Sequence, residues 1–190
     1  MKSSLFLLIV ALMANLGSSY ILSFLHFDPL PVNDLLLGMI PQINSMGYLA
    51  DLVLVLETLM FFWIWRKDKK KLAWGIMLVG VMLLVRSLLV LLTPVGNSFG
   101  MIEYSDFFSL KNLPSGMFPS GHTAFAFLGY LLLKDESNRK LAHVSLALLV
   151  IEVLALLISH GHYSIDIVGG LMLAYIIYRV GEDRRQKVEK

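Results

Sequence analysis

The sequence predicts an all-α protein: a membrane-embedded bundle of six transmembrane helices with its active site at the outer membrane face. Hydrophobic residues make up 57% of the 190 residues and charged residues only 16%, whereas soluble domains are about half apolar and about a quarter charged. The apolar residues fall in runs of about 20, the length at which a helix crosses the bilayer core. No alternating strand pattern competes with these runs, so a helical bundle is favoured over a barrel.

Six apolar runs qualify as predicted spans, and they are residues 5–25, 46–65, 72–92, 120–133, 141–159 and 165–180. The fourth is short and borrows length from the loop before it. The first resembles a signal peptide, but its apolar run continues past Tyr20, so we expect it to be retained rather than cleaved. The sequence contains no internal repeat, and we expect residues 1–190 to form a single integral-membrane domain.

Basic residues predict how this bundle is oriented. Fourteen of the 16 lysines and arginines lie at the N-terminus, in the loops "RKDKKK" and "KDESNRK", or in the C-terminal tail. The positive-inside rule therefore places both termini in the cytoplasm. Two loops, residues 26–45 and 93–118, then face outward, and the apolar "DLLLGMI" in the first is expected to form a short interfacial helix. A bacterial inner membrane, with the site facing the periplasm, is our expected location.

Composition narrows the possible partners and cofactors. The chain has no cysteine, which excludes a disulfide framework and thiol chemistry. No basic face exists outside the anchoring loops, so no nucleic-acid partner is expected. We expect no cofactor and no resident metal, although the spacing of His160 and His162 leaves a metal site with His122 and Asp166 as an alternative. The oligomeric state is left open.

Polar residues inside membrane spans are costly and each one needs a reason. The predicted topology brings several of them to the outer face. The polar residues in or beside the spans are Asp51, Glu57, Arg86, Ser120, His122, Glu152, His160, His162 and Asp166.

The stretch "HGHYSIDIVGG", residues 160–170, predicts a histidine–carboxylate pair. His162 and Asp166 are four residues apart, so their side chains share one face of a helix. A carboxylate that holds one imidazole nitrogen fixes the tautomer and leaves the other nitrogen free as a nucleophile or base. His160 lacks this spacing and is expected to be an interfacial residue.

The stretch "PSGHTAFAF", residues 119–127, predicts an anion site at the start of the fourth span. Pro119 suits a first helical turn, and Ser120 suits an N-cap. Free backbone amides at such a helix start bind anions, and Gly121 lets an oxyanion approach them. A cap alone does not explain His122, which the topology places opposite the His162–Asp166 pair.

Two histidines, one carboxylate and an anion-binding helix start suit phosphoryl transfer. We expect His162 to attack phosphorus and form a phosphohistidine, with Asp166 orienting it. His122 is expected to protonate the leaving oxygen and then activate the acceptor, while amides of residues 120–122 stabilise the transition state. A site at the membrane surface predicts a lipid phosphate ester as substrate.

The motifs "PSGHTAF" and "HYSID" resemble signature motifs of the type 2 phosphatidic acid phosphatase superfamily. The chain departs from the usual pattern, because Leu156 stands where an arginine is typical and no KxxxxxxRP precedes the motifs. "SGHT", "HYSID", "DPLPVNDLL" and "RSLLVLLTPVG" are together similar to the sphingomyelin synthase-like branch. That resemblance implies an enzyme that moves a phospho-headgroup from a phospholipid to a lipid alcohol such as ceramide or diacylglycerol.

Two cations are candidates for the missing phosphate ligands. Arg86 either binds phosphate or forms an ion pair with Glu57 or Glu152, which lie at comparable depth. Lys111, the outward-loop cation, is a second candidate. Two other functions remain open. One is a lipid phosphate phosphatase with water as acceptor. The other is a non-enzymatic transporter or scaffold built on the charge cluster of Arg86, Glu57 and Glu152.

Overall fold

A computed structural model of the chain describes residues 1–25, 32–96, 117–134 and 139–188. These residues contain seven α-helices. In chain order the helices are α1 (Lys2–Phe24), α2 (Leu35–Met39), α3 (Met46–Trp65), α4 (Lys69–Leu92), α5 (Gly121–Leu133), α6 (Arg139–Ile158) and α7 (Ser164–Val188).

Five of the six predicted spans coincide with a helix to within a few residues, and the sixth, predicted to end at residue 180, continues in α7 to Val188. Five of these helices (α1, α3, α4, α6 and α7) are long and apolar enough to cross a membrane, which fits an integral membrane protein. The remaining one, α5, has 13 residues and is therefore only about 20 Å long, so the six-span count stays a prediction. The predicted short helix in the first outward loop is confirmed as α2, with Asp34 as its N-cap.

The short helix α5 lies at the centre of the bundle. It packs against α3, α4, α6 and α7, whereas α1 packs mainly on the outer side of α4. Small and apolar residues of α5, among them Ala124, Ala126 and Leu128, are fully buried. A short helix can be buried on several sides in this way because its side chains are mostly apolar. This central position places the start of α5 among the ends of the neighbouring helices.

The bundle has two chemically different ends. The site end carries the starts of α3, α5 and α7 and the ends of α4 and α6. Two backbone hydrogen bonds tie these termini together: Ile43 N–H donates to Ile158 O at 2.9 Å, and Ser120 N–H donates to Asp166 O at 2.9 Å. The basic end carries the lysine-rich turn before α4, where the Asp68 carboxylate accepts from the amides of Lys70 and Lys71.

Two adjacent glycines let α7 approach α5 closely. A Cβ added to Gly170 would lie 2.7 Å from the carbonyl oxygen of Ser120, and one added to Gly169 would lie 2.6 Å from the Phe118 ring. These two glycines therefore serve the close contact between α7 and the start of α5. Gly129 has no such role, because no atom lies within 4 Å of a Cβ placed there.

We therefore expect Gly170→Ala to be destabilising. The added methyl must push α7 away from the Ser120 backbone, and overpacking of this kind costs about 1–3 kcal/mol. Thermal unfolding of the purified protein in detergent measures the effect as a lowered Tm. Gly129→Ala is the matched control and should leave the Tm unchanged or slightly raised. Equal Tm values for the two variants would contradict the proposed close approach.

Candidate active site

A tight turn after α6 delivers His162 to the site end. The Gly161 amide donates to Leu156 O at 2.8 Å, and the His160 amide donates to Leu157 O at 3.1 Å. This pair of bonds is a Schellman cap, in which the residue after the helix adopts a left-handed conformation. His160 occupies that position with φ of 55°, and its ring Nε2 lies 2.9 Å from Ile40 O. These contacts fix His160 in the turn between α6 and α7.

The structure brings His162 and Asp166 together as their spacing predicts. His162 Nδ1 lies 3.3 Å from Asp166 Oδ2, and the Tyr163 amide donates to the same oxygen at 3.0 Å. Asp166 is fully buried. The carboxylate therefore holds Nδ1 in its protonated form and leaves Nε2 of His162 unprotonated.

Electrostatics at His162 favour the neutral ring. Burial lowers the pKa of His162, and the hydrogen bond and charge of Asp166 oppose this shift without cancelling it. His122 and Arg86 lower the pKa of His162 further because they place positive charge nearby. The imidazole is therefore neutral at neutral pH, the state in which Nε2 has a lone pair available for attack.

The start of α5 has the predicted cap but not the predicted proline position. The Ser120 hydroxyl accepts from the Thr123 amide at 3.3 Å, which makes Ser120 the N-cap. Pro119 therefore precedes the cap and is not in the first turn as predicted. The Ser120 amide is taken by Asp166 O, so the amides of Gly121 and His122 are those left to meet an anion.

Arg86 lies directly beneath this helix start. Its Nε donates to Pro119 O at 2.9 Å, and its guanidinium also donates to the side-chain oxygen of Asn15. A Cβ added to Gly121 would lie 3.0 Å from Arg86 Nε. Arg86 thus combines a fixed position with a positive charge at the place where the free amides of α5 converge.

The alternative ion pair of Arg86 with a glutamate is not formed. Both carboxylate oxygens of Glu57 and both of Glu152 are buried without a hydrogen-bond partner. Depth along the helices suggested the pair, but Arg86 donates to Pro119 O and to Asn15 instead. Arg86 therefore does not form with these two glutamates the charge cluster that the transporter or scaffold alternative requires.

A second histidine–carboxylate pair lies opposite the first. His122 Nε2 is 3.2 Å from Asp51 Oδ1, and the ring centroids of His122 and His162 are 6.1 Å apart. Asp51 had no role in the sequence-based prediction. The sequence does show that Asp51 is an acidic residue in the second turn of an apolar span. Only the fold shows that its side chain contacts His122.

The loop before α2 is held against the "HYSID" motif. Val32 N–H donates to the Tyr163 hydroxyl at 3.0 Å. Asp34 accepts from both the amide and the hydroxyl of Ser164, at 2.6 and 2.8 Å. Burial raises the pKa of Asp34, but these bonds and those from the α2 amides outweigh it and hold that pKa below its usual value. The carboxylate stays charged and fixes the loop beside His162.

Two further sequence predictions concern ligands of the site. Lys111 lies outside the described residues, so its expected role stays a prediction. Among the residues that the structure describes, no three of the histidine and acidic side chains lie close enough together to hold a metal ion.

Fold and site together define a helical, membrane-compatible protein with two facing histidine–aspartate pairs at one end of the bundle. A family model described as AtPDCT1/2 matches residues 29–183, and the chain belongs to this family. The family is one of lipid phosphotransferases, named for phosphatidylcholine:diacylglycerol cholinephosphotransferase.

One curated relative is also similar. The uncharacterized protein MJ0662 of Methanocaldococcus jannaschii is 32% identical over 84 residues, which cover 44% of this chain and 34% of that protein. The matched region thus spans about a third of that relative's length.

We expect Asp51→Asn to slow headgroup transfer by about 10–100-fold, less than the roughly 100–10,000-fold that general acid–base catalysis contributes, because Asp51 acts only through His122. The amide cannot stabilise a protonated His122, although it preserves the size of the side chain. Initial rates and their pH profile measure the effect. Asp68→Asn at the basic end is the matched control, since asparagine also caps helices well. Equal rates for both variants would show that Asp51 does not contribute to the reaction.

Proposed function

We propose that the protein is an integral-membrane enzyme that transfers a phospho-headgroup from a phospholipid to a lipid alcohol such as diacylglycerol or ceramide. The observation that supports this most directly is the facing arrangement of His122 and His162. Each ring is held by its own aspartate, and both lie beside the free amides of α5. Membership of the AtPDCT1/2 family supports the same class of reaction.

In the first half-reaction, His162 Nε2 attacks the headgroup phosphorus. The bond between phosphorus and the glycerol oxygen breaks, and a phosphohistidine forms. Protonated His122 gives its proton to the departing oxygen, which leaves as a diacylglycerol hydroxyl. Because Asp51 occupies Nε2 of His122, Nδ1 is the nitrogen that makes this transfer.

In the second half-reaction, neutral His122 takes the proton of the acceptor hydroxyl. The acceptor oxygen attacks the phosphohistidine, the bond from phosphorus to His162 breaks, and the headgroup leaves on the new lipid. The amides of Gly121 and His122, the Ser120 cap and Arg86 bind the phosphate oxygens throughout. Lys111 adds a further positive charge in this proposal. Asp166 keeps His162 in the reactive tautomer in both steps.

The mechanism predicts that His162→Ala abolishes transfer. Purified protein is given phosphatidylcholine with a deuterated headgroup and diacylglycerol or ceramide with a labelled chain, and products are followed by mass spectrometry. We expect the deuterated headgroup to appear on the labelled acceptor with wild type alone. His143→Ala, an exposed histidine of α6, is the matched control and should keep full activity.

Three other outcomes of this experiment have distinct meanings. Free deuterated phosphocholine without a new lipid would make water the acceptor and the protein a hydrolase of the phosphodiester bond to glycerol. Transfer that survives in His162→Ala would overturn the phosphohistidine mechanism. Wild-type protein that makes neither product from any of these lipids would contradict the proposed function.

We further propose that both termini face the cytoplasm and that the site end faces the periplasm of a bacterial inner membrane. The basic turn before α4 supports this orientation. Because the chain has no cysteine, single substitutions report topology cleanly. We expect Asn33→Cys to react with a membrane-impermeant maleimide in intact cells, and Lys69→Cys to react only after permeabilisation. The reverse pattern would overturn the orientation.

A further inference from the structure

An apolar groove leads from the candidate active site into the bundle. Its cavity volume is about 400 Å³. The groove lies between α1 and α3, which make almost no contact with each other, while α4 and α5 form its floor. The gap between α1 and α3 therefore opens sideways, in the direction of the surrounding bilayer.

Polarity changes sharply along this groove. Its polar side chains are gathered at one end, where Asn15, Arg86 and His122 lie with the Gly121 backbone. Thr58 is the remaining polar lining residue, and its hydroxyl donates to Leu54 O of its own helix. Beyond these, the described lining is aliphatic or aromatic. The groove thus has one end suited to a phosphate and a body suited to hydrocarbon.

The length of the groove matches one half of a bilayer. Its lining on α4 extends from Arg86 to Ile76, ten residues that rise about 15 Å at 1.5 Å per residue. The hydrocarbon core of a bilayer is about 30 Å thick. Phe61 and Phe62 lie with Ile76 at the far end, and Phe61 packs so tightly on Gly75 that a Cβ there would overlap its ring. Aromatic rings therefore close the deep end.

We infer that this groove binds one acyl chain of the lipid substrate, with the phosphate of that lipid at Arg86 and His122. This inference rests on the proposed function, and it adds the position at which the lipid substrate binds. A volume of about 400 Å³ is near the lower limit of the roughly 300–1,000 Å³ typical of ligand pockets, so we assign one chain to it. The second chain stays in the bilayer outside the gap between α1 and α3.

The same groove serves donor and acceptor in turn. The first half-reaction leaves a diacylglycerol in the groove, and the acceptor in the second half-reaction is a lipid alcohol of the same shape. Exchange through the lateral gap replaces one with the other without moving the phosphohistidine. The ring of Phe62 at the deep end then limits how long the bound chain is.

The test is photo-cross-linking in nanodiscs with a phosphatidylcholine that carries a diazirine near the middle of one acyl chain. Labelled peptides are mapped by mass spectrometry in wild type and in His162→Ala, which binds lipid without consuming it. We expect labelling of Leu54, Val79 and Leu83 at least threefold above that of Val150 and Leu154, which are exposed apolar residues of α6. Equal labelling at the two places would mean ordinary bilayer contact and would overturn the groove assignment.

A variant that fills the groove provides a second test of the inference. Leu12 lines the groove but is 46% exposed, so Leu12→Trp is compatible with folding. It should reduce groove labelling at least threefold and lower the rate with long-chain lipids more than with short-chain lipids. Met13→Trp is the matched control, because Met13 is the next residue, is exposed and does not line the groove. Equal effects of the two variants would contradict the inference.

Failure of this inference is distinguishable from failure of the proposed function. Headgroup transfer by wild type with uniform labelling would reject the groove and keep the enzyme. Groove labelling in His162→Ala with no product from wild type would keep the lipid site and reject the transferase.

Discussion

The hydrogen bond from the Ser120 amide to the Asp166 carbonyl joins the two halves of the candidate site. It ties the start of α5 to the first turn of α7 at 2.9 Å, and Gly170 leaves the space that this approach needs. His122 follows Ser120 by two residues, and the side chain of Asp166 contacts His162. A single backbone contact therefore sets the separation of the two rings, and any side chain at position 170 would change it.

Polar groups at the site end are arranged so that each one holds another in place. Asp34 fixes the loop before α2 on Ser164, Asp51 meets His122, and Asn15 and the Pro119 carbonyl hold Arg86. In an apolar surrounding an unpaired polar group costs several kcal/mol, so these partners also fix the geometry. Glu57 and Glu152 are different, since their carboxylates are buried without hydrogen bonds.

The sequence predicted what depends on local pattern. Hydropathy located the six apolar helices, and the spacing of four residues located the His162–Asp166 pair, because both follow from helix geometry alone. Cap chemistry identified Ser120 but wrongly placed Pro119 in the first turn, since the helix begins two residues later, at Gly121. The orientation of the bundle and the role of Lys111 are predictions of the same local kind that still await their tests.

The sequence did not predict which side chains of different helices contact each other. Asp51 and His122 are 71 residues apart, and no period or motif links them. Arg86 shows the same limit, because counting residues gives the depth of a side chain in the membrane but not the direction in which it points. At that depth Glu57 and Glu152 were reasonable partners. Only the packing of α1 and α5 on α4 shows that Arg86 turns to Asn15 and Pro119 instead.

The two histidines differ in exposure in the way that the proposed double displacement requires. The His162 side chain is 8% exposed and that of His122 is 26%. In the proposed mechanism His162 contacts only the phosphorus, so its burial would protect a phosphohistidine from water and keep the free ring neutral. His122 would meet two different alcohols in succession in that mechanism, so it needs access to the place where lipids exchange. His122 lines the groove that opens between α1 and α3, and this position favours a lipid alcohol over water as the second substrate.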